Sequence, residues 1–571
     1  MRLLIQTCIL VVALSVGVFA QVAAGDNAVG LDRELANRID DVFRQYDKPG
    51  SPGCSLAVVR DGKVVYKHGY GYANLEYDIP ISPSTVFHVA SVSKQFTAFA
   101  ITLLASEGRL KLDDDIRKYL PEVPDFGKTI TIKHLIYHTS GLRDQWELLA
   151  MAGWRLDDVI TREHILKIIR NEKELNFEPG AEHLYCNSGY TLLAVIVERV
   201  SGQSFRQFTT DRIFKPLGMA NTHFHDDHEM IVKNRAYSYQ PEKAGGFKLS
   251  ALNYANAGAT SLFTTAEDMT RWALNFEDMK LGGKAVIDQM HEQGILNSGK
   301  KIDYAFGLAI GKYKGLSVVE HSGGDAGYRS HIMRFPEQRF SVIVLSNLST
   351  TNPGGLARKV ADLVISDKLV ADTSTTGPAP NSSAGSSARP TVRVSSDILD
   401  SYVGKYELAG TIMVDITREN DRLIAAPQGQ EKAELFPESE TKFFLKIIDA
   451  QVEFQRDSSG RVSQFTLQQN GQSLIAKRLA SANDIPSDLS EYTGSFYSEE
   501  LGTAYNVVLK EGKLVAQHRR HDDIQMTPIT RDKFTGSAWW FSRVNYTRDK
   551  NGHINGFNLS GGRVRNMRFT K

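Results

Sequence analysis

The sequence has few cysteines, no excess of charge of either sign and one long hydrophobic run. Three cysteines occur in 571 residues, without a C-x-x-C pair or a Cys/His pattern of zinc-ligand spacing. Lysine and arginine number 67 and aspartate and glutamate 66, a formal net charge of +1. This balance gives no general attraction to nucleic acid, an anionic membrane or acidic substrates. We therefore expect no nucleic-acid partner.

The hydrophobic run lies at the start of the chain. Met1-Arg2 precedes a mostly apolar stretch, residues 3–20, and the polar Gly25-Asp26-Asn27 follows. A short basic start, an apolar run and small residues at its end are typical of a signal peptide, which we place at residues 1–24. An uncleaved membrane anchor is the alternative, but polar residues interrupt the run. No other window is apolar enough to span a bilayer, so we expect an exported protein, periplasmic or secreted.

The two cysteines beyond the signal peptide have two interpretations. After export, Cys54 and Cys186 would meet an oxidising compartment, in which a disulfide can form. Their spacing does not decide whether the geometry allows the bond. Two separate buried thiols is the interpretation that we favour.

The length and composition indicate several soluble globular domains. A chain of 571 residues is too long for one hydrophobic core, and 42% apolar with 23% charged residues is ordinary for soluble protein. Residues 371–396 are rich in Ser, Thr, Pro, Gly and Ala, as expected of a flexible linker. This linker separates a first domain, residues 31–370, from a tail.

The first domain is organised around the sequence Ser91-Val92-Ser93-Lys94. An extended run, residues 84–89, leads into an apolar, alanine-rich stretch, residues 95–105, that is predicted to be helical. Ser91 is thus expected at a helix N-terminus, one turn before Lys94 and on the same face. There the lysine can take the serine proton, while unpaired backbone N–H groups and the helix dipole favour an oxyanion. For these four residues alone, a capping serine with an exposed lysine is the alternative.

The pattern around this sequence is mixed α and β. Two strands joined by a hairpin turn are predicted at residues 54–59 and 63–70. The other predicted elements are helices at 32–45, 131–137, 192–200 and from Thr265 through Trp272, and strands at 304–310, 316–320, 330–335 and 340–346.

Two further motifs lie downstream. Tyr185 and Asn187 stand two apart on a predicted loop that enters a helix, so both project the same way if the backbone is extended. A tyrosine beside a lysine ammonium has its pKa lowered and can serve as base and then acid, although alone both residues are ordinary at a helix entry. His321-Ser322-Gly323-Gly324 follows predicted strands, a suitable place for an oxyanion-hole N–H and for pairing with a substrate backbone.

In this order, Ser91-x-x-Lys94, Tyr185-x-Asn187 and His321-Ser322-Gly323 resemble the motifs of the serine β-lactamase and penicillin-binding-protein superfamily, and of its class C type in particular. Three flanking segments also agree: residues 138–142, 177–180 and 213–219. The resemblance covers about residues 31–368. It implies an α+β fold, with a β-lactamase-like antiparallel sheet flanked by helices and a helical subdomain. Relatives of this type include DD-peptidases, D-aminopeptidases and lipase-like esterases.

The resemblance implies a role for each motif residue. Ser91 is the nucleophile that becomes acylated, and Lys94 and Tyr185 share the proton transfers, with the choice of general base left open. Asn187 would hold the acyl-side amide of the substrate. The N–H groups of Ser91 and Gly324 would form the oxyanion hole.

The third motif departs from the pattern of β-lactamases and penicillin-binding proteins. Where these enzymes usually carry a lysine suited to a substrate carboxylate, this chain has His321, followed by Gly323 as a substrate-binding residue. A histidine near its reference pKa of about 6.5 is mostly neutral at neutral pH, so carboxylate recognition should be weaker. This argues against efficient β-lactam hydrolysis or carboxypeptidase action, and it resembles the D-aminopeptidase and esterase branches. We place His321 among the catalytic residues, with a hydrogen-bonded strand histidine as the alternative.

The tail contains an internal repeat. Residues 399–406, LDSYVGKY, recur as residues 489–496, LSEYTGSF, and each copy continues with short alternating strands. We predict two small antiparallel β-barrels, at residues 397–480 and 484–571. A hydrolase domain with C-terminal lipocalin-like barrels resembles D-aminopeptidase, in which a loop of the last barrel reaches over the catalytic cleft. Residues 518–523 are our candidate for that loop, and an exposed hairpin tip is the alternative.

A histidine cluster suggests a second kind of site. His223, His225 and His228 lie close together beside two aspartates, as metal ligands can. The cluster falls where the family has a variable surface loop, and chemistry at Ser91 needs no metal. We therefore predict no metal and no other cofactor.

Together these inferences predict an exported serine hydrolase that forms an acyl-enzyme at Ser91 and passes it to water. A D-aminopeptidase-like or DD-peptidase-related peptidase, acting on a small peptide or amide, is the preferred function. A carboxylesterase of the same fold and a catalytically idle protein that binds cell-wall or peptide ligands are the alternatives. No membrane span is expected after signal cleavage.

Overall fold

The computed structural model describes residues 30–370 and 391–571, except 409–411, 428–431, 446–449, 470–471, 480–485 and 487. The predicted signal peptide and most of the predicted linker lie outside the described residues. Within the described ranges, no helix has both the length and the hydropathy needed to cross a bilayer.

The strands of the first domain are β1 (Cys54–Arg60), β2 (Lys63–Tyr70), β3 (Tyr72–Asn74), β4 (Ile79–Pro80), β5 (Phe87–His88), β6 (Ile160–Thr161), β7 (His223–Phe224), β8 (Tyr239–Pro241), β9 (Phe247–Leu249), β10 (Tyr254–Ala255), β11 (Leu262–Thr264), β12 (Ala309–Tyr313), β13 (Leu316–Asp325), β14 (Tyr328–Phe335) and β15 (Phe340–Ser346). Six of them form an antiparallel sheet in the order β12-β13-β14-β15-β1-β2. The central strands β1 and β15 are rich in valine, isoleucine and leucine and are buried along almost their whole length. Such runs need helices on both faces of the sheet.

The helices of the chain are α1 (Arg33–Phe43), α2 (Ser93–Ser106), α3 (Ile132–Ile136), α4 (Gln145–Met151), α5 (Arg162–Arg170), α6 (Asn187–Ser201), α7 (Phe205–Thr209), α8 (Lys215–Leu217), α9 (Ala266–Asp278), α10 (Gly283–Met290), α11 (Pro353–Val364) and α12 (Ser396–Tyr402). Helices α1 and α11 pack together against one face of the sheet, and α9 packs against the other. The helix α9 begins after Thr265, whose side chain caps it by accepting from the backbone N–H of Asp268. The predicted sheet with flanking helices is thus present.

The structure corrects one predicted strand beside the catalytic helix. The hairpin of β1 and β2 is confirmed, but the strand predicted at residues 304–310 is wrong, since β12 begins only at Ala309. Gly307, at a φ of 70°, presses so closely on α2 that a Cβ there would lie 2.6 Å from the Lys94 carbonyl carbon. A segment in left-handed backbone against a helix cannot pair as a strand.

The predicted pair of β-barrels is confirmed, each closed by eight antiparallel strands. The first contains β16 (Gly404–Leu408), β17 (Ile412–Glu419), β18 (Arg422–Pro427), β19 (Ala433–Pro437), β20 (Lys442–Leu445), β21 (Ala450–Arg456), β22 (Val462–Gln469) and β23 (Gln472–Arg478). The second contains β24 (Gly494–Ser498), β25 (Thr503–Lys510), β26 (Lys513–His518), β27 (His521–Thr530), β28 (Lys533–Gly536), β29 (Arg543–Arg548), β30 (Ile554–Ser560) and β31 (Met567–Thr570). The repeat places Tyr402 and Tyr492 at matching core positions, where they pack on Phe454 and Tyr546.

The two barrels differ in what they pack against. The core of the first barrel is a separate hydrophobic cluster, which includes Val394 from the end of the predicted linker. The core of the second barrel is continuous with the main core of the first domain. At this junction the Tyr505 hydroxyl donates to the Met151 carbonyl at 3.0 Å. The second barrel is therefore docked on the helical part of the first domain.

A buried ion pair lies in this docking surface. The Arg143 guanidinium donates to Glu500 Oε2 at 2.8 Å, with 1% and 9% of the two side chains exposed. Glu172 lies beside the pair, and burial raises the pKa of Glu172 to about 8, with the charge of Glu500 adding to the effect. Glu172 is therefore mostly protonated at neutral pH.

The protonation of Glu172 predicts a pH-dependent stability. Its pKa is about 8 when folded, against 4.5 for the free side chain, so the folded state holds a proton that the unfolded state has released. This contribution is complete below about pH 4.5 and is lost as the pH rises through about 8. We expect Glu172→Gln to flatten the loss of unfolding free energy between pH 5 and pH 8, measured by urea titration. An unchanged pH slope in the variant would contradict this assignment.

The interpretation of two separate buried thiols is confirmed. Cys54 and Cys186 are both free and buried. Burial raises the pKa of each thiol to about 12, so neither is a reactive thiolate at neutral pH.

Candidate active site

Ser91 lies in a 3-10 turn, Ala90–Val92, that leads directly into α2. Ala90, the residue before it, has a φ of 47°, a costly conformation for a residue with a Cβ. The turn leaves Ser91 partly exposed, whereas Lys94 is completely buried. The predicted placement of Ser91 at a helix N-terminus is thus confirmed.

Lys94 is held against Ser91 by two other acceptors. Its ammonium nitrogen Nζ lies 3.0 Å from Ser91 Oγ, 2.9 Å from Asn187 Oδ1 and 2.7 Å from the Ala259 carbonyl oxygen. Burial lowers the pKa of Lys94 to about 7, against the opposing effect of Asp325 and Asp144. When the amine is neutral, its two N–H groups can serve Asn187 and Ala259, and its lone pair then faces the Ser91 hydroxyl.

The Tyr185-Cys186-Asn187 segment is extended, as its spacing suggested, with Cys186 at φ −134° and ψ 115°. The buried His138 fixes this geometry, because the Cys186 N–H donates to His138 Nδ1 at 3.1 Å and the two rings of His138 and Tyr185 lie 4.2 Å apart. Asn187 is fixed in turn by Asp144, whose Oδ2 accepts from its backbone N–H at 2.7 Å and its side-chain amide at 2.8 Å. The Asn187 amide is therefore oriented with its oxygen toward Lys94.

The expected lowering of the Tyr185 pKa is wrong. Burial raises the pKa of Tyr185 well above its ordinary value, although its hydrogen bond with Ser91 and the charge of Arg563 act in the other direction. The Tyr185 ring nevertheless lies close to Lys94, whose Nζ is 4.8 Å from the ring centroid. At neutral pH the tyrosine is a phenol that can donate a proton, while Lys94 is partly a free amine. The lowered pKa of Lys94 and the raised pKa of Tyr185 together favour Lys94 as the base.

The third motif lies within β13 rather than after it. Gly323 packs on the catalytic turn so tightly that a Cβ there would lie 2.2 Å from the Val89 oxygen and 3.0 Å from Ser91 N. Pairing with β12 ends at Glu320, so within the described residues no strand covers the outer edge of β13 from His321 onward. Gly324 is exposed on this edge. The edge is available for an oxyanion N–H and for a substrate backbone.

His321 is a neutral, hydrogen-bonded residue in this arrangement. Its Nδ1 lies 2.7 Å from the backbone carbonyl oxygen of Ser322, and its Nε2 lies 3.0 Å from the Tyr304 hydroxyl oxygen. Burial lowers the pKa of His321 to about 3, and the Lys94 charge adds to the effect. Its ring centroid lies 6.3 Å from that of Tyr185. His321 therefore cannot supply the carboxylate-binding cation that a lysine supplies at this position.

A loop of the second barrel reaches the site, but it is not the predicted one. In residues 518–523, His521 Nε2 lies 2.8 Å from the Ala150 oxygen and Arg520 pairs with Asp158 at 2.6 Å, so this hairpin binds the helical part of the first domain. The loop that reaches Tyr185 is residues 561–566, between β30 and β31, which we call the docking loop. Its Arg563 places the guanidinium carbon 5.1 Å from the Tyr185 ring centroid.

The docking loop is fixed through its backbone. The Arg563 N–H donates to Glu147 Oε2 at 2.7 Å, and the Arg563 oxygen accepts from Asn176 Nδ2 at 2.8 Å and from the Asp144 N–H at 3.3 Å. A Cβ on Gly561 would lie 2.5 Å from Glu147 Oε2, so a larger residue there would require the Glu147 carboxylate to move. The loop thus contacts the same aspartate that orients Asn187.

Comparison with known proteins decides the family. A family model described as Beta-lactamase matches residues 39–366, more than half of the chain. The chain belongs to the β-lactamase family. A second model, Domain of unknown function (DUF3471), matches residues 388–478, which include the first barrel.

The relatives of this β-lactamase-family chain include peptidase-related proteins. It is 31% identical over 416 residues to Penicillin-binding protein 4* of Bacillus subtilis, covering 70% of this chain and 89% of the relative. It is 29% identical over 299 residues to D-aminopeptidase of Gluconobacter oxydans, covering 52% and 56%. The solved octameric penicillin-binding protein homologue from Pyrococcus abyssi superposes with a TM-score of 0.55 at 24% identity, covering 86% of this chain and 99% of that one. The chain is accordingly a serine hydrolase of the β-lactamase and penicillin-binding-protein fold. The class C type stays a prediction.

The histidine cluster does not assemble in the structure. His223 and His225 have ring centroids 5.7 Å apart, and burial lowers the pKa of each, to about 4 and about 3. In the described part of the chain, no three His, Cys, Asp or Glu side chains are grouped as metal ligands would be.

The lowered pKa of Lys94 predicts the pH dependence of the β-lactamase-family site. If neutral Lys94 is the base, acylation of Ser91 should rise with pH through about 7 and level off above about pH 8. Asp144→Asn removes a negative charge that favours the ammonium, so its profile should shift to lower pH. The rate of fluorophosphonate labelling, measured from pH 5 to pH 9 for wild type and Asp144→Asn, checks both expectations. A labelling rate that falls as the pH rises, or one that rises only near the ordinary pKa of a lysine, would contradict them.

Proposed function

We propose that the protein is a peptidase or amidase that cleaves small D-residue-containing peptides or amides through an acyl-enzyme at Ser91, DD-peptidase-related or D-aminopeptidase-like. The observation that carries the proposal is the 3.0 Å contact between Lys94 Nζ and Ser91 Oγ, with a lysine pKa near neutrality. The family names of the relatives support the class of bond, since they include a penicillin-binding protein and a D-aminopeptidase.

The geometry suggests how the chemistry proceeds. Lys94 as a neutral amine takes the Ser91 proton while Oγ attacks the substrate carbonyl carbon. The N–H groups of Ser91 and Gly324 would bind the resulting oxyanion. The Lys94 ammonium then gives this proton to the leaving nitrogen, directly or by relay through the Tyr185 hydroxyl, as the carbon–nitrogen bond breaks and the acyl group stays on Ser91. Water attacks the ester while the neutral Lys94 amine takes its proton. Lys94 returns that proton to Ser91 Oγ as the bond between the acyl carbon and Oγ breaks, and the acid is released.

Asn187 and His321 have supporting roles in this proposal. Asn187 positions the Lys94 amine through its oxygen, and its side-chain nitrogen can also meet the acyl-side amide of the substrate. His321, bonded to Tyr304, packs near the Tyr185 ring and keeps this region of the cleft neutral. Gly323 allows β13 to approach Ser91.

A panel of chromogenic substrates tests the bond class. D-alanine p-nitroanilide, an N-acyl D-alanine p-nitroanilide and p-nitrophenyl acetate are compared for wild type and Ser91→Ala. Turnover of an anilide by wild type alone is expected. Turnover confined to the acetate ester would favour the carboxylesterase, and no turnover or labelling of any kind would favour the idle binding protein.

We also propose that the protein is exported and that its signal peptide is removed. N-terminal sequencing of the protein recovered outside the cytoplasm tests this proposal.

A further inference from the structure

We propose that Arg563, contributed by the second barrel, binds a carboxylate of the substrate within about one residue of the scissile bond. The inference rests on the proposed function, because it concerns the substrate of the same Ser91 site. It adds a specificity-determining residue that the three motifs of the first domain do not contain.

The position of Arg563 is suited to this role. Its guanidinium carbon lies 5.1 Å from the centroid of the Tyr185 ring. Lys94 Nζ, which bonds to Ser91 Oγ, lies 4.8 Å from the same centroid, so Arg563 is close to the nucleophile. The side chain is 42% exposed, while its backbone is fixed on Glu147 and Asn176. A rigidly mounted, accessible cation is what a substrate anion requires.

The N–H groups of the Arg563 guanidinium are available to a ligand. Its nearest carboxylate oxygen is Asp144 Oδ2, at 3.9 Å, and it makes no hydrogen bond to another described residue. Asp144 is already occupied, because Oδ1 accepts from the Trp146 N–H and Oδ2 accepts twice from Asn187. Arg563 carries five N–H groups in a planar fork that matches a carboxylate. A substrate carboxylate can therefore bind without displacing a protein partner.

The third motif supplies no cation that could bind a substrate carboxylate. His321 is neutral and turned toward Tyr304, so it offers no cation. Arg329, across the strand pair from Gly324, directs its Nη1 to the carbonyls of Ala326 and Tyr328 at 3.0 and 2.7 Å. Arg563 makes no side-chain hydrogen bond within the described residues, so all of its donors can serve a substrate anion, whereas two carbonyls already occupy Nη1 of Arg329.

The same charge disfavours a substrate with a free amine. An α-ammonium beside the scissile bond would lie close to the Arg563 guanidinium, and like charges in a partly buried cleft repel. The carboxylate of a dipeptide would instead gain a charge-assisted pair. Between the two peptidases proposed above, Arg563 favours a DD-peptidase-related enzyme over an aminopeptidase.

Matched substrate pairs test the inference. N-acetyl-D-alanyl-D-alanine and its C-terminal amide differ only in a carboxylate on the leaving-group side. Succinyl- and acetyl-D-alanine p-nitroanilide differ in a carboxylate on the acyl side. The ratio of kcat/KM within each pair is measured for wild type, Arg563→Gln, Arg563→Lys and Arg565→Gln. Arg565 is the matched control, since it lies two residues away and pairs with Glu182 at the surface.

Wild type is expected to prefer the carboxylate member of one pair by about 10- to 100-fold. Arg563→Gln should reduce that ratio to near one, Arg563→Lys should restore part of it, and Arg565→Gln should leave it as in wild type. Equal rates within both pairs, or a loss in Arg563→Gln that is the same for both members, would overturn the inference. The second result would mean that Arg563 only adjusts the electrostatics of Lys94.

Fluorophosphonate labelling separates this inference from the proposed function. Labelled Ser91 with no carboxylate preference overturns the role of Arg563 alone. Absence of labelling in wild type overturns the proposed function itself. If no dipeptide is turned over, protection of Ser91 from labelling is compared within each pair, and equal protection has the same meaning as equal rates.

Discussion

Lys94→Met is expected to slow acylation of Ser91 by about 10²- to 10⁴-fold, the usual contribution of a positioned general base. Methionine keeps the length and volume of the buried side chain but has no lone pair that can take the Ser91 proton. The amine is the group held between Ser91, Asn187 and Ala259. The rate of fluorophosphonate labelling at pH 8, with unfolding followed in parallel, measures the loss.

Lys67→Met is the matched control for this substitution. Lys67 is half-exposed on β2 and pairs with Glu267, outside the catalytic contacts. It should label at the wild-type rate, since surface ion pairs contribute little to stability. A folded Lys94→Met protein that labels within threefold of wild type would show that Lys94 is not the base. Tyr185→Phe would then become the decisive variant.

Glu500→Ala is expected to cost about 3–5 kcal/mol of unfolding free energy, the usual loss when one member of a buried ion pair is removed. Arg143 would be left with its charge buried and its main carboxylate missing. Glu500 Oε2 also accepts from the Lys173 backbone N–H at 2.9 Å, so an interdomain hydrogen bond is lost as well. Because the second barrel and the first domain share a core, one cooperative transition should shift in urea.

The neighbouring residue provides the control for this measurement. Glu499 pairs with Lys173, but 79% of its side chain is exposed, so Glu499→Ala should leave the urea midpoint close to that of wild type. Glu172 can ionise and partly replace Glu500 beside Arg143, so Glu172→Gln combined with Glu500→Ala should lose more than the sum of the two single changes. Equal effects of the Glu499 and Glu500 substitutions would contradict the account of the interface.

Local sequence patterns predicted the parts of the site that lie on single elements. Ser91 and Lys94 share a helix face because they are three residues apart, and Tyr185 and Asn187 share a side because the backbone between them is extended. These relations depend only on the periodicity of a helix and a strand. The hairpin of β1 and β2 was predictable for the same reason, and the two barrels from the internal repeat with its alternating strands. The fold class followed instead from the resemblance of the three motifs to those of a known superfamily.

The residues that sequence reasoning missed act across domains or loops. Asp144 orients Asn187 from the N-cap of α4, and Arg563 arrives from the last barrel hairpin. Nothing in the spacing of these residues relates them to Ser91, because the fold of the first domain places Asp144 and the docking of the second barrel places Arg563. The Gly561-Gly562 pair is the sequence signal for a close approach of the docking loop, whereas residues 518–523 bind the helical part of the first domain.

The sign of the Tyr185 pKa shift was missed for a related reason. A neighbouring ammonium lowers a tyrosine pKa, but the loss of water around a buried phenol raises it, and the extent of burial is not visible in the sequence. In the folded protein the second effect is larger for Tyr185, and the same loss of water lowers the pKa of Lys94. The proposed division of proton transfer between them rests on these opposite shifts.

Mass-spectrometric mapping of a fluorophosphonate adduct tests the central claim most directly. The protein is treated with the probe at pH 8, digested, and the modified peptide is sequenced, with Ser91→Ala treated in parallel. The account predicts one adduct, on the Ser91 hydroxyl, that is absent from Ser91→Ala. An unmodified Ser91 in folded wild-type protein, or an adduct that persists in Ser91→Ala, would contradict it.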